Sequence, residues 1–264
     1  MYLSAERLAL ANQTVKETFE QCSVAWQSIP HWDTGDPSQS MVLSDLVNPP
    51  PPPDFLALGP LQFVNFTVTL AQAISPMPDA VLARVIANTV TLAANVDNAV
   101  FPALLTGTTP TQHIPVLPTA PQLLTGLIGA RAMVENGGYR APSCLVTDTL
   151  GLETLAGITL ASGIPGTDVL LPPANVNSLH RTNVLAPAAD PDVRGWLLGR
   201  RQRIAHGGAA GASPGEEGVD LAVNIPPSLE VVGETSTNTI QLRVRISYAV
   251  RVKDQNALVV FRAP

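Results

Sequence analysis

The chain is poor in charge. Only 14% of its 264 residues are Asp, Glu, Lys or Arg, against roughly a quarter in ordinary soluble proteins. A surface so thinly charged favours burial against further copies of the same chain. The net charge of −6 excludes a molecule whose bulk field gathers nucleic acid, although a local basic face can exist inside an acidic whole. Aromatic residues are scarce too, at 5%, so Arg194, Arg200, Arg201 and Arg203 have no interleaved rings with which to form a base-stacking platform. Those arginines read as salt-bridging surface. Cysteine occurs at Cys22 and Cys144 alone, without C-x-x-C spacing, which argues against a disulfide framework or a zinc site. Both read as buried thiols.

Catalytic signatures are missing as well. His31, His113, His180 and His206 show no H-x-x-x-H or H-E-x-x-H spacing, so no metal ligand set is expected. The glycine-rich stretches lack a P-loop lysine and place no G-x-G-x-x-G after a strand, so no nucleotide or other cofactor is expected. Gly211-Ala212-Ser213-Pro214-Gly215 matches the G-x-S-x-G pattern of serine hydrolases. Its chemistry fails, because Pro214 has no N–H for an oxyanion hole and the preceding HGGAAGA is no strand. No apolar run reaches the roughly 18 residues of a membrane span. The opening MYLSAERLALANQTVKETFEQ has neither the basic nor the apolar region of a secretory signal. A soluble, cytoplasmic protein without enzymatic activity is the expectation.

What is present is structure. Leu8, Ala11, Val15, Phe19, Cys22 and Trp26 recur at three- and four-residue spacing behind Ser4, a helix start, and predict an amphipathic helix over 4–27. Five consecutive prolines, Pro49 to Pro53, offer no backbone donors and prefer an extended path, which makes this segment an arm or linker. Residues 61–70 alternate as a half-buried strand. Residues 79–101 carry Leu82, Val85, Ile86, Thr89, Ala93, Val96 and Val100 at helical spacing, a long helix stopped by Pro102. A second helix starts at Thr119 and ends at Asn136-Gly137-Gly138. SCLVTDTLGLETLAG reads as a strand running into a helix, VLLPP as another short strand, and 207–218 as a loop. TIQLRVRISYAVRVK alternates almost without fault, with Ile240 to Val252 on one face and Arg243, Arg245, Arg251 and Lys253 on the other. At about 3.3 Å per residue such a strand runs about 46 Å, long enough to lie along the 79–101 helix. Helices and mainly antiparallel strands are segregated along the chain, so the class is α+β.

From about Leu61 onward the order of elements resembles that of the encapsulins, bacterial shell proteins sharing the Hong Kong 97-type fold of tailed-phage major capsid proteins. QFVNFTVTLAQAI followed by DAVLARVIANTVTLAANVDNAVFPALLTG is similar to the family's strand and spine helix, closing on Asp97, Val100-Phe101 and Gly107. PQLLTGLIGARAMVENGGY, SCLVTDTLGLETLAG and VLLPPANVNSLHRTNVL resemble its apical domain, and TIQLRVRISYAVRVKDQNALVVF its closing strands with the pair Ala257-Leu258. The resemblance implies a phage-capsid/encapsulin-like fold: a helix and loop over 1–39, a proline-rich arm over 40–62, a peripheral domain from 63–118 and 219–264, and an apical domain over 119–218. The proline run occupies the place of the family's two-stranded extended loop. The implied function is a structural shell protein that assembles with itself into a closed icosahedral compartment around a cargo protein held by a targeting peptide or domain. The loop with Ser162, Gly163, Pro165, Gly166 and Asp168 becomes a candidate five-fold pore rim. Leu8, Val15, Phe19, Trp26, Arg243, Arg245 and Arg251 become candidate cargo or subunit contacts. A tailed-phage or prophage capsid protein, which packages DNA, is the alternative; the absence of a long N-terminal scaffolding segment favours the compartment. A soluble hydrolase or binding protein stands third, resting on Ser213 alone.

Overall fold

The computed structural model describes residues 3–46, 54–75, 77–105, 110–115, 118–139, 143–157, 163–200, 217–235 and 238–264. The proline run 49–53, Gly107, Ser162, His206 and the 207–216 loop with Ser213 lie outside the described residues.

Helix α1 (Ala5–Cys22) starts where the Ser4 hydroxyl accepts the Arg7 N–H, and Ser23 separates it from the short α2 (Val24–Ser28). After β1 (His31–Asp33), β2 (Met41–Leu43) and β3 (Phe55–Ala57) come β4 (Gln62–Thr69), α3 (Leu70–Ile74) and the long α4 (Asp79–Ala103). Pro102 does not stop α4. It lies in the last turn, and the helix runs on to Ala103 and closes on tighter bonds from Leu104 to Phe101 and from Leu105 to Pro102. A second set follows: β5 (Thr111–His113), α5 (Ala120–Asn136), β6 (Ser143–Thr147), α6 (Thr149–Gly157), α7 (Gly166–Leu170), β7 (Val176–Arg181) and β8 (Val193–Leu198). The chain closes with β9 (Val219–Glu234), β10 (Thr239–Val252) and β11 (Leu258–Arg262).

The strands form two main sheets. One has the order β1-β9-β10-β4 and the other β5-β11-β8-β6-β7, while β2 and β3 pair as a separate ribbon. In the first, Ile240, Leu242, Val244 and Ile246 of β10 and Phe66 and Val68 of β4 turn inward to a core shared with Val85, Leu92, Val96 and Val100 of α4 and Val15 and Phe19 of α1. The alternation of the sequence thus meets the helix stripe as expected. In the second sheet Leu145, Leu197 and Val259 join the same core with Leu123, Leu127 and Val134 of α5.

Three elements depart from the sequence expectation. VLLPP is no strand: Val169 and Leu170 end α7, and Pro172 and Pro173, lacking donors, follow in a turn before β7. The 16-residue β9 escapes sequence reading because Pro226-Pro227 interrupts it. The sheet absorbs that dipeptide in an irregularity, the ladder to β10 passing from Ile225↔Ser247 to Ser228↔Arg245. The last strand also changes sheets. β11 pairs with β8 and β5 rather than with the strands beside α4, so 258–262 and 111–113 belong to the five-stranded sheet. Side chains bind the two units: Tyr139 Oη donates to Asp254 Oδ2 at 2.8 Å and Arg200 Nη2 to the Ser28 carbonyl at 3.1 Å.

Candidate functional site

The outer face of the four-stranded sheet, away from α1 and α4, has two halves. Over one half lies the β2/β3 ribbon, paired as Met41↔Ala57, Val42↔Leu56 and Leu43↔Phe55. A two-residue alternation divides its side chains into two rows. The inner row, Val42 and Leu56, rests with Leu58 on Ala222 and Ala249 of the sheet. The outer row is apolar and bare: Met41 is 53% exposed, Leu43 45% and Phe55 52%. A three-residue ribbon with an apolar row on each side has one row more than its own subunit can cover.

Beneath the ribbon is a buried charge cluster. Arg251 and Asp220, cross-strand neighbours on β10 and β9, form a fork in which Arg251 Nε and Nη2 donate to the two Asp220 oxygens at 2.7 and 2.6 Å. Lys253 Nζ joins the same carboxylate at 2.8 Å. Arg251 Nη1 reaches the Leu43 carbonyl at 3.1 Å and Asp45 Oδ2 at 2.5 Å, and the guanidinium lies 4.9 Å from the Trp32 ring centre. The expectation that Arg251 stands on an open cationic face is therefore corrected. Arg251 is 1% exposed. It does lie on the outer face of the strand, but the ribbon and β1 cover that part of the face. The Asp220 partner raises its pKa against the opposing effect of burial.

The other half of the face is open. Arg243 and Arg245 converge on Glu230 at 3.5 and 3.1 Å, and Arg243 also donates to Asn65 at 2.9 Å and lies 4.5 Å over the Phe63 ring. Two guanidiniums sharing one carboxylate leave a local excess of one positive charge. The two side chains keep 25% and 31% of their surface exposed.

The residues of α1 and α2 divide likewise. Val15 and Phe19 are fully buried in the subunit core, so neither meets a partner; the amphipathic stripe found its groove on α4 and β9 of the same chain. Leu8 and Trp26 are half-buried. Trp26 packs edge-on to Phe19 at 5.4 Å and stacks on His31 at 3.7 Å, and burial lowers the His31 pKa. Cys22, expected buried, is exposed; Cys144 is buried, and burial pushes its thiol up. On α4, Asp97 accepts the Ser23 hydroxyl at 2.8 Å and the N–H groups of Val24 and Ala25 at 2.9 Å each, stapling α2 to the long helix. Its burial raises its pKa against those three hydrogen bonds. The same α4 exposes Ile86 and Val90, one turn apart, on a face with Ala83, Ala87 and Ala94.

In the loop before α7, Gly163 (φ 78°), Ile164 and Pro165 are exposed, Gly166 is buried at the helix start and Asp168 is exposed in the first turn. Among the described residues no group of three or more His, Cys, Asp or Glu could hold a metal ion, and no helix is long and apolar enough to cross a membrane.

No family model matches the sequence, and no curated protein matches it. Solved structures do match by shape. A virus-like particle from Pyrococcus furiosus superposes at a TM-score of 0.71 and 14% identity, covering 98% of this chain and 99% of that one. A structure from Mycobacterium phage Bobi gives 0.57 at 12% identity, over 92% and 90% of the two chains. The asymmetric unit of the bacteriophage PhiM1 mature capsid gives 0.55 at 9% identity, over 91% and 87%. The α+β arrangement of long helix, long strands and inserted second sheet is the capsid and encapsulin fold.

Proposed function

We propose that this chain, which has the capsid and encapsulin fold, is the subunit of a closed protein shell. The observation that carries the reading is the bare outer row of the ribbon, Met41, Leu43 and Phe55. The uncharged α4 face with Ile86 and Val90 is a different surface, so a contact of one copy's ribbon with another's helix or sheet is heterologous. Heterologous contacts do not end at two copies; they close only in rings and shells or continue as filaments. A chain with 14% charged residues loses little hydration by such burial.

The shell, in this reading, is a cytoplasmic compartment enclosing a cargo protein. In support, the Pyrococcus furiosus particle matches nearly end to end, while the phage structures match less closely. With Val15 and Phe19 withdrawn into the core, cargo contacts fall to Leu8 and the exposed Leu10 on α1 and Trp26 on α2. The loop with Gly163, Pro165 and Asp168 borders the pore. The chain has no catalytic part in this scheme. Negative-stain imaging and light scattering of purified protein test the assembly: uniform round particles are expected, and a stable monomer overturns it. Particle contents separate compartment from phage capsid, since a protein companion supports the first and packaged DNA the second.

A further inference from the structure

We infer that Arg251 and Asp45 form a latch that holds the β2/β3 ribbon at its angle on the sheet and can open without unfolding the subunit. The cluster contains two cations, Arg251 and Lys253, and two anions, Asp220 and Asp45. Arg251, Lys253 and Asp220 side chains are 1–3% exposed, but that of Asp45 is 43% exposed. The Arg251 guanidinium works on two sides. Its Nε and Nη2 are committed to Asp220 inside the sheet, and only Nη1 faces the ribbon, at the Leu43 carbonyl and Asp45. When the ribbon lifts, the outward bonds break while the inner fork persists.

Two further features point the same way. Asp45 has a left-handed backbone, φ 50°, a conformation that costs energy in a non-glycine residue and persists where its surroundings impose it. It occurs just beyond β2, where the chain leaves the ladder. The apolar footing under the ribbon is also small, being Val42 with the half-buried Leu56, Leu58 and Trp32 on two alanines. A ribbon standing on one small cluster depends on its polar tie for its direction. Buried ionic groups add little net stability, and fixing one geometry among several is their better-attested use.

Hydrogen exchange on the full chain carrying Asp45→Asn tests the latch, and it reads the ribbon whether or not shells form. The amides of 41–43 and 55–59 are expected to exchange roughly three- to tenfold faster, the range for losing a charged hydrogen bond at a half-exposed site. Amides of β4, β9 and β10 and the thermal midpoint are expected to stay unchanged, and Asp45→Glu to recover slow ribbon exchange. Unchanged ribbon exchange in Asp45→Asn overturns the latch. So does uniform acceleration across the sheet with a lowered midpoint, which makes Asp45 an ordinary stabiliser of the whole fold.

Discussion

Replacing Asp220 by alanine isolates the energetics of the covered cluster. In the native subunit its carboxylate takes hydrogen bonds from Arg251 at 2.6 and 2.7 Å and from Lys253 at 2.8 Å, and all three residues are buried. The substitution leaves two buried cations facing each other with only the peripheral Asp45 to balance them. Removing one partner of a buried pair costs about 3–5 kcal/mol, and the presence of two stranded cations places Asp220→Ala near the upper end. At about 2–4 °C per kcal/mol for a chain of this order, the thermal midpoint falls by roughly 6–20 °C. Urea unfolding of dissociated subunits, followed by far-ultraviolet circular dichroism, measures the loss with the slope as a check on two-state behaviour. A companion with Asp220→Leu, Arg251→Met and Lys253→Met removes charge from both sides and is expected within about 1 kcal/mol of the parent, or above it. A loss below about 1 kcal/mol in Asp220→Ala refutes the reasoning, because it means water already reaches those cations.

Other consequences are accessible to simple measurements. Because burial raises the Asp97 pKa, the native state keeps a proton there over a pH window in which the unfolded chain has lost it. The stability of the parent relative to Asp97→Asn therefore falls as pH rises from the ordinary carboxylate value through the raised one, and is level above; urea midpoints from pH 3 to 7 show it. Phe19→Ala is expected to cost about 3–5 kcal/mol by emptying a fully buried site, seen as a loss of folded protein and not as a selective loss of any cargo. In dissociated native subunits a chromogenic disulfide reagent is expected to titrate one thiol, the exposed Cys22, with Cys144 reacting only after unfolding.

The sequence showed its long helices and its most regular strand because those carry uninterrupted periods. The β10 alternation and the α4 stripe each needed only local residues to be seen, and the order of elements was enough to indicate the capsid and encapsulin fold. What escaped was decided by partners distant in the chain. β9 was hidden by Pro226-Pro227, which only the neighbouring strand's register accommodates. The ribbon was hidden because three-residue strands have no period to read. Arg251 shows the same limit more sharply. Its side of β10 was read correctly, yet burial depended on the β2/β3 ribbon lying over that side, and nothing in TIQLRVRISYAVRVK records it. Arg245 and Arg243, three and four alternating positions back along the same face, stay partly exposed beyond the ribbon.

The ribbon's footing has a consequence for timing. Ala222 and Ala249 come together only when β9 and β10 have paired, and β10 is itself flanked by β4, whose Asn65 stands opposite Arg243. The β9–β10 pair is local, but the β4–β10 contact spans 178 residues between Asn65 and Arg243, and closing contacts over such a separation is slow, since the entropy of the long loop is lost before the contacts compensate for it. Until then the β2/β3 ribbon has no platform, and Met41, Leu43 and Phe55 are not displayed in a fixed direction. An ordered contact surface is thus a late product of folding, so a half-made subunit offers its neighbours nothing to grip in register. In the proposed shell, completion of the fold would then precede assembly.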